Sequence, residues 1–440
     1  MARAHCYTAW FLYALIGAVF LVLATAWPAA YVRMTYEDLY GEWLQTWLFV
    51  AVLVLAVPLA TRRWRYRWCF ALLALAAFYT VMEEISWGQR LLGIESPAFF
   101  AEHNVQGETN LHNFLTGPDS TLLKDVVEYT LATALIGFGL LYPLALRLGW
   151  APARWLDRLG VAAPPLYLWI FFVNAAVFEV GWLKFNEAEV AEILVGTGLV
   201  LMLLHFRLAA DAPADRAGPG ALTAAAAGRC AGLQIAGFAL LVGLAFGTTT
   251  WLYSLPGQAA GIERRLANGY EKFGRRMAAR ERWNHAAELY RQAAELSPGK
   301  LPLMHAALDN YQAAGDTENY NRYYRAMLDT TAASLGGADA TVENLLMLAT
   351  EYAGIDAPAT AAGYLDQALA TAAAKVAAAP DSSENHYWLG RVQQQRGRYA
   401  DALTAYRRAQ ALDPRRGRYT LALRSLQREM AASAVAIQGQ

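Results

Sequence analysis

The sequence predicts an all-α protein, a seven-helix transmembrane bundle over residues 1–255 followed by a soluble helical-repeat domain over residues 256–440. Three observations predict it. Seven apolar segments, each long enough to cross a hydrocarbon core of roughly 30 Å, all lie before Ser254. Small and aromatic residues then recur at fixed offsets from about Ala267. The composition is 56% hydrophobic yet 17% charged, with mean hydropathy +0.20, as expected of a membrane part joined to a water-exposed part. Lys plus Arg and Asp plus Glu each number 37, so no excess of positive charge points to nucleic acid. Cys6, Cys69 and Cys230 are the only cysteines and form no CxxC pair, which excludes a disulfide framework or a zinc knuckle as the source of stability.

The expected spans run over residues 9–32, 44–60, 68–90, 121–146, 164–185, 188–208 and 230–253. The first also fits a signal peptide, since Arg3 precedes the apolar run and Ala29 and Ala30 follow it, but its length favours a retained helix. Pro28 should kink it near its end. Basic residues crowd alternate loops: Arg62, Arg63, Arg65 and Arg67, then Arg147, Arg154 and Arg158, then Arg207, Arg216 and Arg229. With Arg3 these make eleven on one side, against Arg33, Arg90, Lys124 and Lys184 on the other. The positive-inside rule then puts the N-terminus in the cytoplasm, and an odd number of spans exports the C-terminal domain. Trp27, Tyr31, Tyr40, Trp43, Trp182, Trp251 and Tyr253 fall where an outer aromatic belt belongs.

The outer ends of the helices carry acids. Glu37, Asp38 and Glu42 are accounted for by the freedom of outer loops to hold carboxylates. Glu83, Glu128 and Glu179 adjoin or lie within apolar sequence, where an unpaired carboxylate is costly, and they point to a site or a structural ion network. Spans three and four meet on that face, with Asp125 and Glu128 at i, i+3, and spans five and six meet there through Glu179 to Glu192. An outward-facing acidic basin is expected.

The densest polar stretch is VMEEISWGQRLLGIESPAFFAEHNVQGETNLHN, Val81 to Asn113, the start of a polar outer loop over 83–120. A helix continued through it sets Glu83, Ser86 and Arg90 on one face and turns Glu84 towards Trp87. Beyond Gly93 come Glu102, His103, Asn104, Gln106, Glu108, Asn110, His112 and Asn113. His103 and His112, with some of Glu83, Glu84, Glu102, Glu108, Asp125 and Glu128, are candidate ligands for a divalent metal, although no HExxH spacing is present. A carboxylate pair among Glu83, Glu84, Glu108, Asp125, Glu128 and Glu179 is a candidate acid and base, and Ser86 a nucleophile if a base reaches it. The alternative for the amides is that they satisfy backbone groups of a loop buried in protein. EEISWGQR and QGETNLHNF, within Met82 to Phe114, resemble sequences of multi-pass bacterial membrane proteins, a resemblance that implies no activity.

In the C-terminal part the first copy of the repeat shows Tyr270, Phe273, Gly274, Ala286, Tyr290, Ala293 and Pro298. The last shows Leu389, Gly390, Tyr399, Ala402, Tyr406, Ala409 and Pro414. Between them lie Tyr311, Gly315 and Tyr324, then Tyr352, Ala361, Leu365 and Ala368, with insertions near Ala332 to Ala340 and Ala372 to Pro380 and a capping helix over Tyr419 to Ile437. These positions resemble the tetratricopeptide repeat family, in which alanines let paired helices approach and aromatics fill the gap. The resemblance implies a scaffold that binds a protein or peptide partner. Arg415, Arg416 and Arg418 read as a solvated helix face. Two function classes follow: a membrane-embedded hydrolase or transferase acting on a lipid or lipid-linked substrate, with the repeats recruiting partners, or a non-enzymatic envelope scaffold. No duplication of the spans suggests a transporter.

Overall fold

A computed structural model of the protein describes residues 2–36, 39–89, 95–103, 109–110, 122–181, 185–210, 224–255, 258–297, 300–335 and 340–438. Every regular element among them is helical. The chain divides into two compact units, Met1–Leu303 and Met304–Gln440.

In the first unit α1 (Ala2–Ala26) stops at Trp27, and α2 (Pro28–Thr35) starts on the proline, which cannot donate the bond that would continue α1. The expected kink is therefore a full break. α3 (Tyr40–Thr61) is the hub, because Leu44, Leu48, Val52, Ala56 and Leu59 form one buried stripe. It packs against α4 (Arg67–Glu84), against α10 (Ala188–Ala210) and against α11 (Ala224–Ser254). After the short α5 (Ala98–His103), α6 (Leu122–Ile136) runs through a π-helical turn, Gly137–Leu141, into α7 (Tyr142–Arg147). Within that turn Gly139 lies against the Phe172 ring of α9 (Trp169–Glu179), so α6 and α9 approach closely only because the position lacks a side chain. Between α7 and α9, α8 (Ala151–Arg158) is tied to the α3–α4 turn, where Arg65 Nη2 and Tyr66 Oη each donate to Asp157 Oδ1, at 2.9 and 2.8 Å.

Among the described residues five stretches are long and apolar enough to cross a membrane: Cys6–Ala26, Pro28–Thr61, Asp125–Arg147, Ala188–Leu208 and Ala231–Ser254. The expected spans 68–90 and 164–185 form shorter helices, α4 with 18 residues and the apolar stretch Leu166–Glu179. The reason for α4 is local. It begins on Arg67 and ends on Glu83 and Glu84, and Ser86 and Trp87 then take left-handed φ values of 47° and 54°, which no continuing helix allows.

The compact division at Leu303 also differs from the boundary at 255 read from composition. The first helix pair, α12 (Gln258–Ala278) and α13 (Trp283–Leu296), belongs to the first unit and packs on α2. Tyr31, Phe185 and Phe273 form one aromatic cluster, with centroids 5.0 to 6.1 Å apart, and Arg33 Nε donates to Tyr270 Oη at 2.6 Å. Tyr31, expected in a lipid-facing belt, is buried in this cluster. The expectation that each repeat builds its core only against other repeats fails for this pair, because its inner aromatics fill a gap left by α2.

The second unit continues with α14 (Leu301–Ala313), whose first residues lie across the division, α15 (Thr317–Leu335), α16 (Val342–Gly354), α17 (Pro358–Ala378), α18 (Ser383–Gln395), α19 (Tyr399–Leu412) and α20 (Gly417–Gln438). Consecutive helices from α15 to α20 pack in sequence. The extra residues over Ala372 to Pro380 do not interrupt this array. They lengthen α17 to 21 residues, with Ala372 buried against Val342, Leu345 and Val392.

Candidate functional site

The acidic site forms where the ends of α4, α6 and α9 approach the first turns of α3 and α10. Gln45 is decisive. It is 2% exposed in an otherwise apolar stretch, and its Nε2 donates to Glu84 Oε1 at 3.1 Å. The Glu192 carboxylate of α10 lies within electrostatic range of Glu84, so acids from two different helices stand beside this amide. Glu179 lies within electrostatic range of Glu192, and Glu128 within range of Glu179. Glu84, Glu128 and Glu179, widely separated in sequence, are thus brought together, with Gln45 and Glu192 added. The signal for Gln45 was available as an amide inside an apolar run. What the sequence did not show was which helix it faces. Its Oε1 is buried and makes no hydrogen bond.

The neighbouring residues are arranged differently from a helical stripe. The helix ends at Glu84, so Glu83 and Ser86 do not lie on one continuous helix face, and Arg90 lies outside the described residues. Glu83, 4% exposed, accepts from Trp87 Nε1 at 2.8 Å, so Trp87 pairs with Glu83 and Glu84 turns instead to Gln45. Ser86 is fully buried and its Oγ accepts from Asn110 Nδ2 at 3.3 Å. Gln89 Oε1 accepts from the Thr109 backbone N–H at 2.8 Å while its Nε2 donates to Ser96 at 2.6 Å. Of the amides expected to satisfy loop backbone groups, Asn104, Gln106 and Asn113 lie outside the described residues.

Asp125 stands in the first turn of α6, half-buried. His103 ends α5, but its side chain is outside the description, as are Glu108 and His112 altogether. Among the described residues no three or more His, Cys, Asp or Glu side chains form a group that could hold a metal ion. Chemically, the described site offers carboxylates within electrostatic range of one another and a buried amide. It suits a cationic group or an exchangeable proton.

The second surface is the helical array. In its last helix pair Gly390 of α18 faces the Tyr406 ring of α19, with Ala402 and Ala409 buried beside it. The first pair repeats the arrangement with Gly274 against Tyr290. Residues 383–416 match the tetratricopeptide repeat family. No curated protein matches the chain. The matched repeat is α18 and α19 with the turn that follows. Its polar residues are engaged with the capping helix: Glu384 pairs with Arg416 at 3.1 Å and with Arg418, whose guanidinium lies 4.8 Å over the Tyr387 ring. Arg415 and Arg416 are exposed, as expected of a solvated face, while Arg416 and the partly buried Arg418 also tie the start of α20 to Glu384 of the repeat.

Proposed function

We propose that this is a membrane-anchored interaction protein, in which apolar helices hold the chain in a bilayer and the tetratricopeptide array recruits a protein or peptide partner. The observation that carries it is the family match at 383–416 on a chain with five helices apolar and long enough to cross. In this reading the membrane part is the seven-helix bundle of a bacterial inner-membrane protein, with its N-terminus cytoplasmic and the repeats outside. The resemblance around Met82 to Phe114 accords with it. Full-length protein and a chain ending at Leu303 are purified from membranes after crosslinking. A partner lost on truncation, with insertion unchanged, supports the reading; identical crosslinked sets reject it. A C-terminal reporter active only in the cytoplasm would reject the orientation.

A second reading is favoured by the convergence of Glu84, Glu128, Glu179 and Glu192 around Gln45. Here the membrane part is a hydrolase or transferase for a lipid or lipid-linked substrate, with one carboxylate as acid and another as base. His103 and His112 would hold a divalent metal beside them, and Glu108 and Arg90 would complete the site. Glu84→Gln and Glu179→Gln are tested in a strain where loss of the gene has a phenotype. Full complementation by both at normal protein levels leaves the scaffold reading alone.

A further inference from the structure

A cavity of about 360 Å³ lies in the first unit between the α1–α2 break and α13. It is remote in sequence from the acidic site, and its assignment rests on the membrane anchoring proposed above. One wall is apolar, made of Ala26, Pro28, Ala30 and Leu289, and it continues the surface of the membrane stretch Cys6–Ala26. The other is polar, made chiefly by Arg33, His285 and Gln292.

The polar groups are unevenly satisfied. Arg33 Nε donates to the fully buried Tyr270 at 2.6 Å, which fixes the guanidinium and leaves its terminal nitrogens as further donors. The one carboxylate lining the cavity, Glu288, is gripped on both oxygens by Arg291, at 2.6 and 2.9 Å, and also accepts from Gln292 Nε2 at 2.8 Å. The opposite end of that amide, Gln292 Oε1, is buried and makes no hydrogen bond. The cavity therefore presents a fixed cation, an imidazole, and an acceptor that needs a donor.

Its depth is set by chain position. Ala26 ends an apolar stretch, and exposed Trp27 at the rim has the amphipathic ring suited to a membrane boundary. We infer that this cavity binds the phosphate-bearing headgroup of an anionic lipid, with Arg33 on the phosphate, a headgroup hydroxyl donating to Gln292 Oε1, and an acyl chain leaving along Ala26 and Ala30. A guanidinium matches phosphate oxygens in geometry as well as charge. The volume lies at the lower end of the range for small-molecule sites, which suits a headgroup.

The test uses the full chain in detergent, equilibrated with phosphatidylglycerol or phosphatidylcholine and weighed with bound lipid by native mass spectrometry. Wild type is expected to retain phosphatidylglycerol at least about tenfold over phosphatidylcholine. Arg33→Gln is expected to abolish that preference. Since Arg33 also holds Tyr270, Ala30→Phe, which fills the cavity and touches no polar group, and Gln292→Leu are measured beside it, with helicity checked by circular dichroism. If correctly folded Ala30→Phe and Gln292→Leu keep the full preference, or if wild type shows none, the inference is overturned. Displacement of the lipid by millimolar inorganic phosphate would show that the site reads the ion alone, and would overturn the lipid assignment.

Discussion

Substituting alanine at two glycines of the repeat array should change stability in opposite directions. A Cβ built on Gly390 falls 2.5, 2.6 and 3.1 Å from Cδ1, Cε1 and Cγ of Tyr406. Ordinary carbon contacts are about 3.5–4.0 Å, so the ring must retreat by roughly 1 Å. It has little room, being fully buried, and its Oη is tethered to Gln394 Oε1 at 2.7 Å. Overpacking of this kind costs about 1–3 kcal/mol, and the full confinement of the ring places this case at the upper end. Replacing a helical glycine recovers about 1 kcal/mol of propensity. The net loss for Gly390→Ala is then about 2 kcal/mol, or roughly 30-fold faster hydrogen exchange in α18 and α19 if these open together. Gly363 in α17 is exposed, with nothing within 4 Å of an added Cβ, so only the propensity term remains and Gly363→Ala should slow exchange in α17 by up to about fivefold. Exchange is measured on the full chain by mass spectrometry. If Gly390→Ala protects α18 and α19 as Gly363→Ala protects α17, the close approach to Tyr406 is not what requires glycine.

Tyr270→Phe removes the acceptor of Arg33 Nε and leaves a partly buried donor short of a partner, for about 1–3 kcal/mol. Its signature is faster exchange in α12 and α13, and an unchanged rate would argue that the pair docks on α2 through the aromatics alone. Gln45→Leu takes the donor from Glu84 Oε1, and loss of a hydrogen bond to a carboxylate costs about 1.5–3 kcal/mol. Thermal unfolding in detergent should move down, and equal melting temperatures would contradict that hydrogen bond's contribution. The Asn319 side chain, at 2.6 Å, and its backbone N–H, at 3.1 Å, hold the Asp316 carboxyl below its ordinary value of 3.8. A carboxylate lowered in the folded state stabilises above its ordinary value and loses that contribution as pH falls through the folded one. The first turn of α15 should therefore fray below about pH 3.8 and not between pH 5 and 8, and Asp316→Asn should abolish the dependence. Fraying that begins near neutral pH would contradict this assignment.

Much of the architecture is local and therefore legible in the sequence. Apolar runs marked the five long membrane stretches, Pro28 marked the α1–α2 break, and the Gly390 to Tyr406 offset marked the repeat, because each depends on residues within a turn or one helix pair. The acids at Glu84, Glu128 and Glu179 were visible in the sequence as charges beside apolar residues. Three features were decided by tertiary structure. The left-handed turn at Ser86 and Trp87 ends α4 and separates Glu83 from the continuation a regular helix would give it, and no propensity anticipates a bulky aromatic there. Gln45 could be recognised as an amide in an apolar run, but its role depends on α3 lying between α4 and α10. Tyr31 has the chemistry of an interfacial residue, yet Phe185 and Phe273 pack on it, so the helix pair α12 and α13 belongs to the first unit. Helix formation and membrane affinity are sums over neighbouring residues, which a sequence displays directly. Which polar groups share a hydrogen bond depends on the rotation and packing of helices far apart in the chain, and that is settled only when the core closes.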